Sequence, residues 1–268
     1  RLVSMMTLSE KASLLSGADK WHTKAVPRVG LGAVMVADGP HGLRKEVRDG
    51  EKYLYTVEST CFPTACSTAC SFDRDLLRQI GVALAEEARA EGVDVLLGPG
   101  LNCKRSPRCG RNFEYFSEDP VVSGELAASY IEGVQSKGVG TSMKHFALNN
   151  QEYRRLTTDA VVDERAMYEL YLSSFERVLK RVQPWTVMCS YNRVKGVNAS
   201  DNRWLLTDVL RTKFGFTGLV MSDWGAVNDR LLGVSAGLDL EMPYIGPYHD
   251  HQIERAVAAG TLREEDVD

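Results

Sequence analysis

The sequence predicts an α/β protein with a (β/α)8, TIM-like barrel fold in which one or two strands are irregular. Short apolar runs alternate with longer amphipathic stretches at intervals of roughly 35–45 residues, as βα units do. Most of these runs are apolar throughout, which is typical of strands covered on both faces of a parallel sheet. The length of 268 residues suits one barrel domain over residues 1–268. An open doubly wound sheet is the alternative, although no G-x-G-x-x-G follows a strand.

Six apolar runs are predicted as the main strands of this barrel. They cover residues 33–38, 93–98, 141–146, 185–190, 219–223 and 237–242. Two weaker candidates, residues 64–67 and 158–162, bring the number of strands to eight. Because crossovers between parallel strands are right-handed, each intervening helix is expected to pack on the outside of the barrel.

The helices between these strands have readable ends. Ser71 or Asp73 is placed to cap the first of them, and Asp119 followed by Pro120 is typical of a helix N-terminus. Asp163 is expected to open a third helix. Two more are predicted, each ended by a glycine, over residues 204–214 and 251–259.

The composition excludes several classes of protein. The chain carries 36 acidic and 32 basic side chains, a net charge of −4, whereas a dedicated nucleic-acid binder usually has a basic face. No run approaches the ~20 apolar residues that a membrane span needs. No secretory signal precedes the first helix-like stretch, which favours a cytoplasmic protein.

The cysteines and histidines show no metal-binding pattern. Three of the six cysteines lie within STCFPTACSTACSFD, but their spacing is not C-x-x-C, so free thiols in a reducing compartment are expected. Cys103 and Cys109 are near enough in sequence to close a short disulfide loop. His249 and His251 have no third ligand nearby. Neither a metal nor a cofactor is therefore expected.

Polar and aromatic residues collect where the predicted strands end. In a parallel barrel these ends meet at one rim, which is where such folds place their sites. Carboxylates, cations and aromatic faces in one pocket suit a neutral polyol such as a sugar. The candidate residues are Asp38, Lys144, His145, Met188, Tyr191, Asp223 and Trp224, together with Arg111 from a cation-rich loop.

Taken singly, most of these residues have a structural explanation. An aspartate at a strand end often caps a helix, and a loop arginine is usually a solvated ion-pair partner. Lys144 is harder to explain, because lysine is rarely buried without a partner. The occurrence of these residues at several strand ends together favours a functional site over separate structural roles. Lys144 could instead form a Schiff base, as in class I aldolases, or the pocket could bind a sugar without turning it over.

Five segments stand in order along nearly the whole chain. They are DGPHGLR from Asp38, FPTA from Phe62, GRNFEYFSEDP from Gly110, KHF from Lys144 and GLVMSDW from Gly218. Together they resemble the family-3 glycoside hydrolases, and most closely their bacterial β-glucosidase branch. The sister hexosaminidase branch has Gly-His-Gly just after Lys-His-Phe, where this chain has ALNNQE, so that branch is disfavoured.

The resemblance implies an N-terminal (β/α)8-like barrel domain and retaining hydrolysis of terminal, non-reducing β-D-glucosyl residues. It implies that Asp223, in Ser-Asp-Trp, is the catalytic nucleophile. Neighbouring cations, such as Lys144 or Arg111, are expected to lower the pKa of Asp223 and keep it ionised. The residues implied to bind the sugar hydroxyls are Asp38, Arg111, Lys144 and His145, while Met188, Tyr191 and Trp224 shape the pocket.

Retaining hydrolysis also needs a second carboxyl group, about 5–5.5 Å from the first, to protonate the leaving oxygen. In the β-glucosidase branch that glutamate comes from a C-terminal α/β-sandwich domain, and none of Glu114, Glu118 and Glu152 matches it. The expected partners are therefore a small β-glucoside and a C-terminal α/β-sandwich domain, absent from this chain, or a complementary fragment. The alternatives are a catalytically silent sugar-binding fragment and a β-xylosidase-type specificity.

Overall fold

The computed structural model of the chain describes residues 2–50 and 52–268, and in this part ten strands form three sheets. The largest sheet is parallel and consists, in hydrogen-bonded order, of β1 (Val36–Asp38), β4 (Val95–Leu97), β5 (Gly140–Phe146), β7 (Thr186–Cys189) and β10 (Leu219–Met221). An antiparallel hairpin consists of β2 (Glu46–Asp49) and β3 (Lys52–Thr56). A third, small sheet consists of β6 (Asp159–Ala160), β8 (Arg193–Val194) and β9 (Val197–Asn198).

Single bridges continue the parallel sheet from β10 back to β1. Leu240 bridges the end of β10, and the adjacent Glu241 bridges Ser16. The segment 15–23 then doubles back, so that the carbonyl of Trp21 accepts a hydrogen bond of 2.8 Å from the first residue of β1. The wall is thus a hydrogen-bonded ring. The predicted α/β barrel architecture is confirmed, although the parallel sheet has five regular strands in the described residues instead of eight.

Side chains of the parallel strands alternate between the inside of the ring and the surrounding helices. Since successive residues of a strand face opposite ways, each strand contributes to both layers. The outward side chains, which join the larger core, include Ala37, Leu96, Val187 and Val220. The inward ones, which pack with Trp21, Leu240 and Met242, are Val36, Val95, Leu97, Met188 and Met221.

The helices surround this wall. The α-helices of the described chain are α1 (Leu8–Leu14), α2 (Ala65–Ala69), α3 (Arg74–Ala90), α4 (Pro120–Gln135), α5 (Glu164–Ala166), α6 (Ser173–Arg181), α7 (Arg230–Ala236) and α8 (Tyr248–Ala258). Two π-helical segments cover Met167–Tyr171 and Trp204–Lys213. Short 3-10 turns lie at Val3–Met5, Pro27–Val29, Asn112–Glu114, Ala199–Asp201 and Glu264–Asp266. No helix in the described residues is long and apolar enough to cross a membrane.

Three of the predicted helix starts are confirmed at atomic detail. The side chains of Asp73 and Asp119 each accept two backbone N–H bonds at the starts of α3 and α4. Asp163 caps α5 by accepting from the N–H of Ala166 at 2.9 Å. These capped ends depend on local sequence alone, because an aspartate before the first turn satisfies otherwise unpaired amides wherever the helix packs.

Several strand predictions need correction. Residues 64–67, predicted as a strand, begin helix α2, with Thr64 preceding its first turn. Residues 237–242 form only single bridges at Leu240 and Glu241. Within 158–162, only β6 is regular, and it lies in the small sheet instead of the barrel wall. These are short runs, for which tertiary pairing overrides the local pattern.

Helices α3 and α4 cross closely because glycines face each other at the contact. A Cβ atom on Gly133 would lie 2.1 Å from the carbonyl oxygen of Arg78, and one on Gly81 would lie 2.4 Å from that of Tyr130. Neither backbone oxygen can move without disturbing its helix. The pair therefore presents a closely packed layer to the outward side chains of the sheet.

Candidate active site

A cavity of about 370 Å³ opens where the parallel strands end. Asp38 is the last residue of β1, Lys144 and His145 lie near the end of β5, and Asp223 follows β10 by two positions. The structure thus brings together all eight residues singled out from the sequence. The residues found in its lining are Asp38, Arg111, Lys144, His145, Met188, Tyr191, Asp223 and Trp224.

Asp223 lies at the base of this cavity with one oxygen bonded and one left open. Its Oδ1 accepts a hydrogen bond of 2.7 Å from the N–H of Trp224. Its Oδ2 is buried and has no hydrogen-bond partner among the residues that the structure describes. Arg111 Nη1 lies 3.8 Å from Oδ2 and His145 Nε2 lies 3.5 Å from it, and neither nitrogen forms a hydrogen bond with it. A buried acceptor without a partner is an unusual, costly feature outside functional sites.

Arg111 and Lys144 lower the pKa of Asp223, as expected from the sequence, but the net shift of this pKa is upward instead of downward. Burial raises the pKa of this carboxyl above its ordinary 3.8, and the opposing effects of Arg111 and Lys144 do not cancel it. The physical reason is that only 7% of the residue is exposed, so the charged form loses nearly all of its hydration. The sequence shows which charges are near, but it does not show how deeply a side chain is buried.

His145 is a neutral imidazole that anchors Arg111. Burial lowers the pKa of His145 well below its ordinary value, and the positive charges of Arg111 and Lys144 lower it further. Its Nε2 accepts from Arg111 Nη2 at 2.8 Å, because a guanidinium can only donate. The proton is then on Nδ1, which donates to the Tyr115 hydroxyl at 3.1 Å. The 3.5 Å approach of Nε2 to Asp223 is therefore not an ion pair.

Lys144 is buried between two carboxylates. A lysine in an apolar strand needs such partners, because lysine is rarely buried unpaired. Its Nζ lies 3.5 Å from Asp38 Oδ1 and 3.9 Å from Glu114 Oε2, and its side chain is 4% exposed. Asp38 is the more open partner, since a third of its side chain is exposed, and it also lies 3.9 Å from Arg44. The cation and Asp38 therefore present a donor and an acceptor side by side to the cavity.

Aromatic rings form one wall of the cavity. The Tyr191 hydroxyl donates to the carbonyl of Trp224 at 3.1 Å, and the Arg155 guanidinium lies 4.3 Å above the Tyr191 ring. The indoles of Trp224 and Trp21 are 5.4 Å apart and tilted. Such faces pack well against the C–H faces of a pyranose ring.

The sequence reasoning missed five lining residues, which are Lys20, Trp21, Arg44, Leu97 and Arg155. Leu97 is simply the last residue of β4. Lys20 and Trp21 lie on the segment 15–23 that closes the ring, and Arg155 lies on the loop after β5. No strand–helix pattern points to such segments. Arg44 had a signal, because it belongs to the DGPHGLR segment that carries the family resemblance.

Glu46, on the β2–β3 hairpin, fixes two of these missed residues. Its carboxylate accepts from Trp21 Nε1 at 3.1 Å, from Lys20 Nζ at 2.9 Å and from Arg48 Nη1 at 2.7 Å. Burial alone would raise the pKa of Glu46, but the three donors outweigh it and bring the pKa to about 2. The hairpin is thereby tied to the aromatic wall of the cavity.

Replacing Glu46 with glutamine is expected to make the stability less dependent on pH. Because the folded pKa is lowered, the carboxylate stabilises the fold above pH 4.5, and this contribution is lost as the pH falls towards about 2. The variant should be less stable by about 2 kcal/mol at pH 7, with solvent screening allowed for, and equal near pH 2. Urea unfolding at pH 7, 5 and 3 measures this gap. Exposed Glu58→Gln is the control, and a gap independent of pH would contradict the assignment.

The described residues offer no evident metal site. Among residues 2–50 and 52–268, no three His, Cys, Asp or Glu side chains are grouped as metal ligands. His249 Nδ1 lies 2.7 Å from Glu241 Oε2, and His251 Nδ1 lies 3.3 Å from Glu254 Oε2. Cys103 and Cys109 are both free thiols.

These features define a class of protein: an α/β barrel domain with a carboxylate-centred, aromatic-walled pocket at the carboxyl ends of its strands, as many barrel enzymes have. The family can now be stated. The sequence profile of the glycosyl hydrolase family 3 N-terminal domain matches residues 22–268. The chain belongs to this family.

Relatives and solved structures agree with this membership. The chain is 56% identical over 266 residues to the thermostable β-glucosidase B of Acetivibrio thermocellus, covering 98% of this chain and 35% of that protein. It is 52% identical over 269 residues to an exo-α-(1→6)-L-arabinopyranosidase of Bifidobacterium longum, covering 99% and 35%. The chain thus spans about a third of the length of these relatives.

The crystal structure of a Bifidobacterium adolescentis family-3 β-glucosidase superimposes with a TM-score of 0.93 at 51% identity, covering 99% of this chain and 38% of that one. The β-glucosidase 3B of Thermotoga neapolitana in complex with glucose gives 0.94 at 43% identity, covering 99% and 40%.

Proposed function

We propose that this chain is the nucleophile-bearing domain of a retaining β-D-glucosidase. The observation that carries the proposal is the buried, unpartnered Oδ2 of Asp223 at the base of the strand-end cavity. A retaining glycosidase needs a carboxylate oxygen that is free to attack the anomeric carbon. The β-glucosidase names of several relatives support glucose as the sugar, whereas an arabinopyranosidase at 52% identity marks a pentopyranoside as the nearest rival.

In the first step Asp223 Oδ2 attacks the anomeric carbon, and the bond from that carbon to the leaving oxygen breaks. The leaving oxygen takes the electron pair and, for an ordinary sugar aglycone, a proton. In the second step water attacks the same carbon, gives up a proton to the group that protonated the leaving oxygen, and releases glucose and the Asp223 carboxylate. Two inversions restore the β-configuration.

We propose that residues on both sides of the cavity bind the sugar. Asp38 and Lys144 offer an acceptor and a donor next to each other, a pair that fits vicinal hydroxyls through charge-assisted bonds. Arg111, oriented by His145, lies on the side of Asp223. We assign the wall against the pyranose to Met188, Tyr191 and Trp224.

We propose that the proton donor to the leaving oxygen comes from a C-terminal α/β-sandwich domain or a complementary fragment. The carboxylates that line the cavity are Asp38 and Asp223. Asp223 is assigned as the nucleophile, and Asp38 faces Lys144 Nζ at 3.5 Å and Arg44 at 3.9 Å, so we assign it to binding of the sugar. The relatives, which are about three times as long as this chain, have room for such a domain.

Covalent labelling tests the proposal. Incubation of the 268-residue chain with 2,4-dinitrophenyl 2-deoxy-2-fluoro-β-D-glucoside should attach one fluoroglucosyl group to Asp223, because dinitrophenolate leaves without a proton and the fluorine slows hydrolysis of the ester. Intact mass and peptide mapping after peptic digestion locate the group. A folded chain that binds glucose but gains no mass would be the silent sugar-binding fragment, and would contradict the proposal.

A further inference from the structure

Glu114 is a buried acidic residue that has no role in the proposed mechanism. It ends the 3-10 turn Asn112–Glu114, and its side chain is 7% exposed. Its Oε1 accepts from Nε of Arg111, and its Oε2 lies 3.9 Å from Lys144 Nζ. Burying a carboxylate is costly unless it is paired, and these two cations explain how Glu114 can be buried. They do not explain why it lies beside the cavity.

Two hydrogen bonds fix the guanidinium of Arg111, and its third nitrogen faces Asp223. Its Nε donates to Glu114, and its Nη2 donates to His145 Nε2 at 2.8 Å. Its Nη1 faces Asp223 Oδ2 at 3.8 Å. An arginine and a carboxylate that are free to move usually pair through two parallel N–H···O bonds. Here the contacts at Nε and Nη2 prevent that pairing, and Oδ2 stays open.

We infer that Glu114 is a positioning residue that turns Arg111 so that its guanidinium faces Asp223 without closing on it. The inference rests on the proposed role of Asp223 as nucleophile. If Glu114 is removed, Nε loses its acceptor. Arg111 is then free to rotate and to pair with both oxygens of Asp223. This pairing would occupy the lone pair that attacks the sugar.

Glu114 also sets the charge around the cavity. Arg111 and Lys144 face both Glu114 and Asp223. His41 also faces Glu114. Tyr191 and the neutral His145 also face Asp223, and Arg155 lies next to Tyr191. Without the negative charge of Glu114, the two cations act more strongly on Asp223 and lower its pKa. The acid limb of any reaction that needs ionised Asp223 should therefore move to lower pH.

The test uses the fluoroglucoside label on the 268-residue chain, with rates measured from pH 4 to pH 8 by intact mass. Glu114→Ala removes both the acceptor and the charge, whereas Glu114→Gln keeps an acceptor for Arg111 Nε and removes only the charge. Glu118→Gln is the matched control, because Glu118 lies in the same loop and is exposed. Thermal unfolding of each variant is recorded in parallel.

We expect Glu114→Ala to be labelled roughly 10–100-fold more slowly than the wild type at its optimum, as small misplacements in active sites typically cost. Glu114→Gln should recover most of that loss. Both variants should have an acid limb at lower pH than the wild type, and Glu118→Gln should match the wild type in both respects.

The outcomes separate this inference from the proposed function. If the wild type is not labelled, the role of Asp223 fails. If the wild type is labelled and the Glu114 variants keep its rate and pH profile, the positioning role is overturned, even where their melting temperatures fall. Should Glu114→Ala not fold, the acid limb of Glu114→Gln decides alone.

Discussion

Replacing Asp223 with asparagine is expected to abolish labelling by the fluoroglucoside, a loss of about 10⁴-fold or more, as when other enzymes lose their nucleophile. Asparagine keeps the shape and the acceptor that the Trp224 N–H needs. Its amide nitrogen, however, cannot form the glycosyl ester. Intact mass spectrometry over several hours measures the residual rate, and exposed Asp208→Asn is the control.

The same substitution should stabilise the protein at neutral pH. Because burial raises the folded pKa of Asp223 above 3.8, the folded state keeps a proton that the unfolded chain has already lost, and stability falls as the pH rises through this interval. Asparagine carries no such penalty. The melting temperature of the variant should equal that of the wild type near pH 3 and exceed it at pH 7. Labelling of the variant at an undiminished rate, or a lower melting temperature at pH 7, would contradict the assigned role.

The second large effect is expected in the choice of leaving group. The 268-residue chain should act on 2,4-dinitrophenyl β-D-glucoside but be nearly inactive on cellobiose. The general acid that we propose lies outside these residues, and losing a general acid costs roughly 10²–10⁴-fold, and more for poor leaving groups. Dinitrophenolate leaves unprotonated, whereas a sugar alkoxide must be protonated as the bond breaks.

Initial rates with the two substrates, measured on the same preparation, check this expectation. The Asp223→Asn variant supplies the background for both. Cellobiose hydrolysis at an ordinary enzymatic rate of about 10 s⁻¹ would show that a carboxyl group of this chain, in place of one from another domain, protonates the leaving oxygen.

The parts of the fold that sequence predicted are those fixed locally. Asp73 and Asp119 cap their helices through bonds to their own next residues, and the apolar strands of the wall needed only their burial pattern. The hairpin β2–β3 was missed, although Gly50, which follows β2 with a φ of +57°, is a typical hairpin-turn residue. Residues 64–67 were mistaken for a strand because short runs of small residues fit both patterns.

The candidate site divides in the same way. Asp38, Lys144 and Asp223 were found because each lies at or near the end of a strand, and the strand ends of a parallel barrel meet at one rim. Lys20 and Trp21 were not predicted as site residues, because only the segment 15–23 that closes the ring brings them to the cavity. The effect of the cations on the pKa of Asp223 was predicted correctly, but the net shift was not, because it depends on burial, a property of the whole fold.

The joint between segment 15–23 and Glu241 has a consequence for how this molecule is made. It joins two segments that lie far apart along the chain, and a hydrogen bond there, from Ser16 to Asp250, spans 234 positions. During synthesis from the N-terminus, this joint can therefore form only after residues 241–250 have emerged from the ribosome. Until then β1 and β10 are unpaired sheet edges, through which partly folded chains can associate with one another. The joint removes this hazard by pairing both edges.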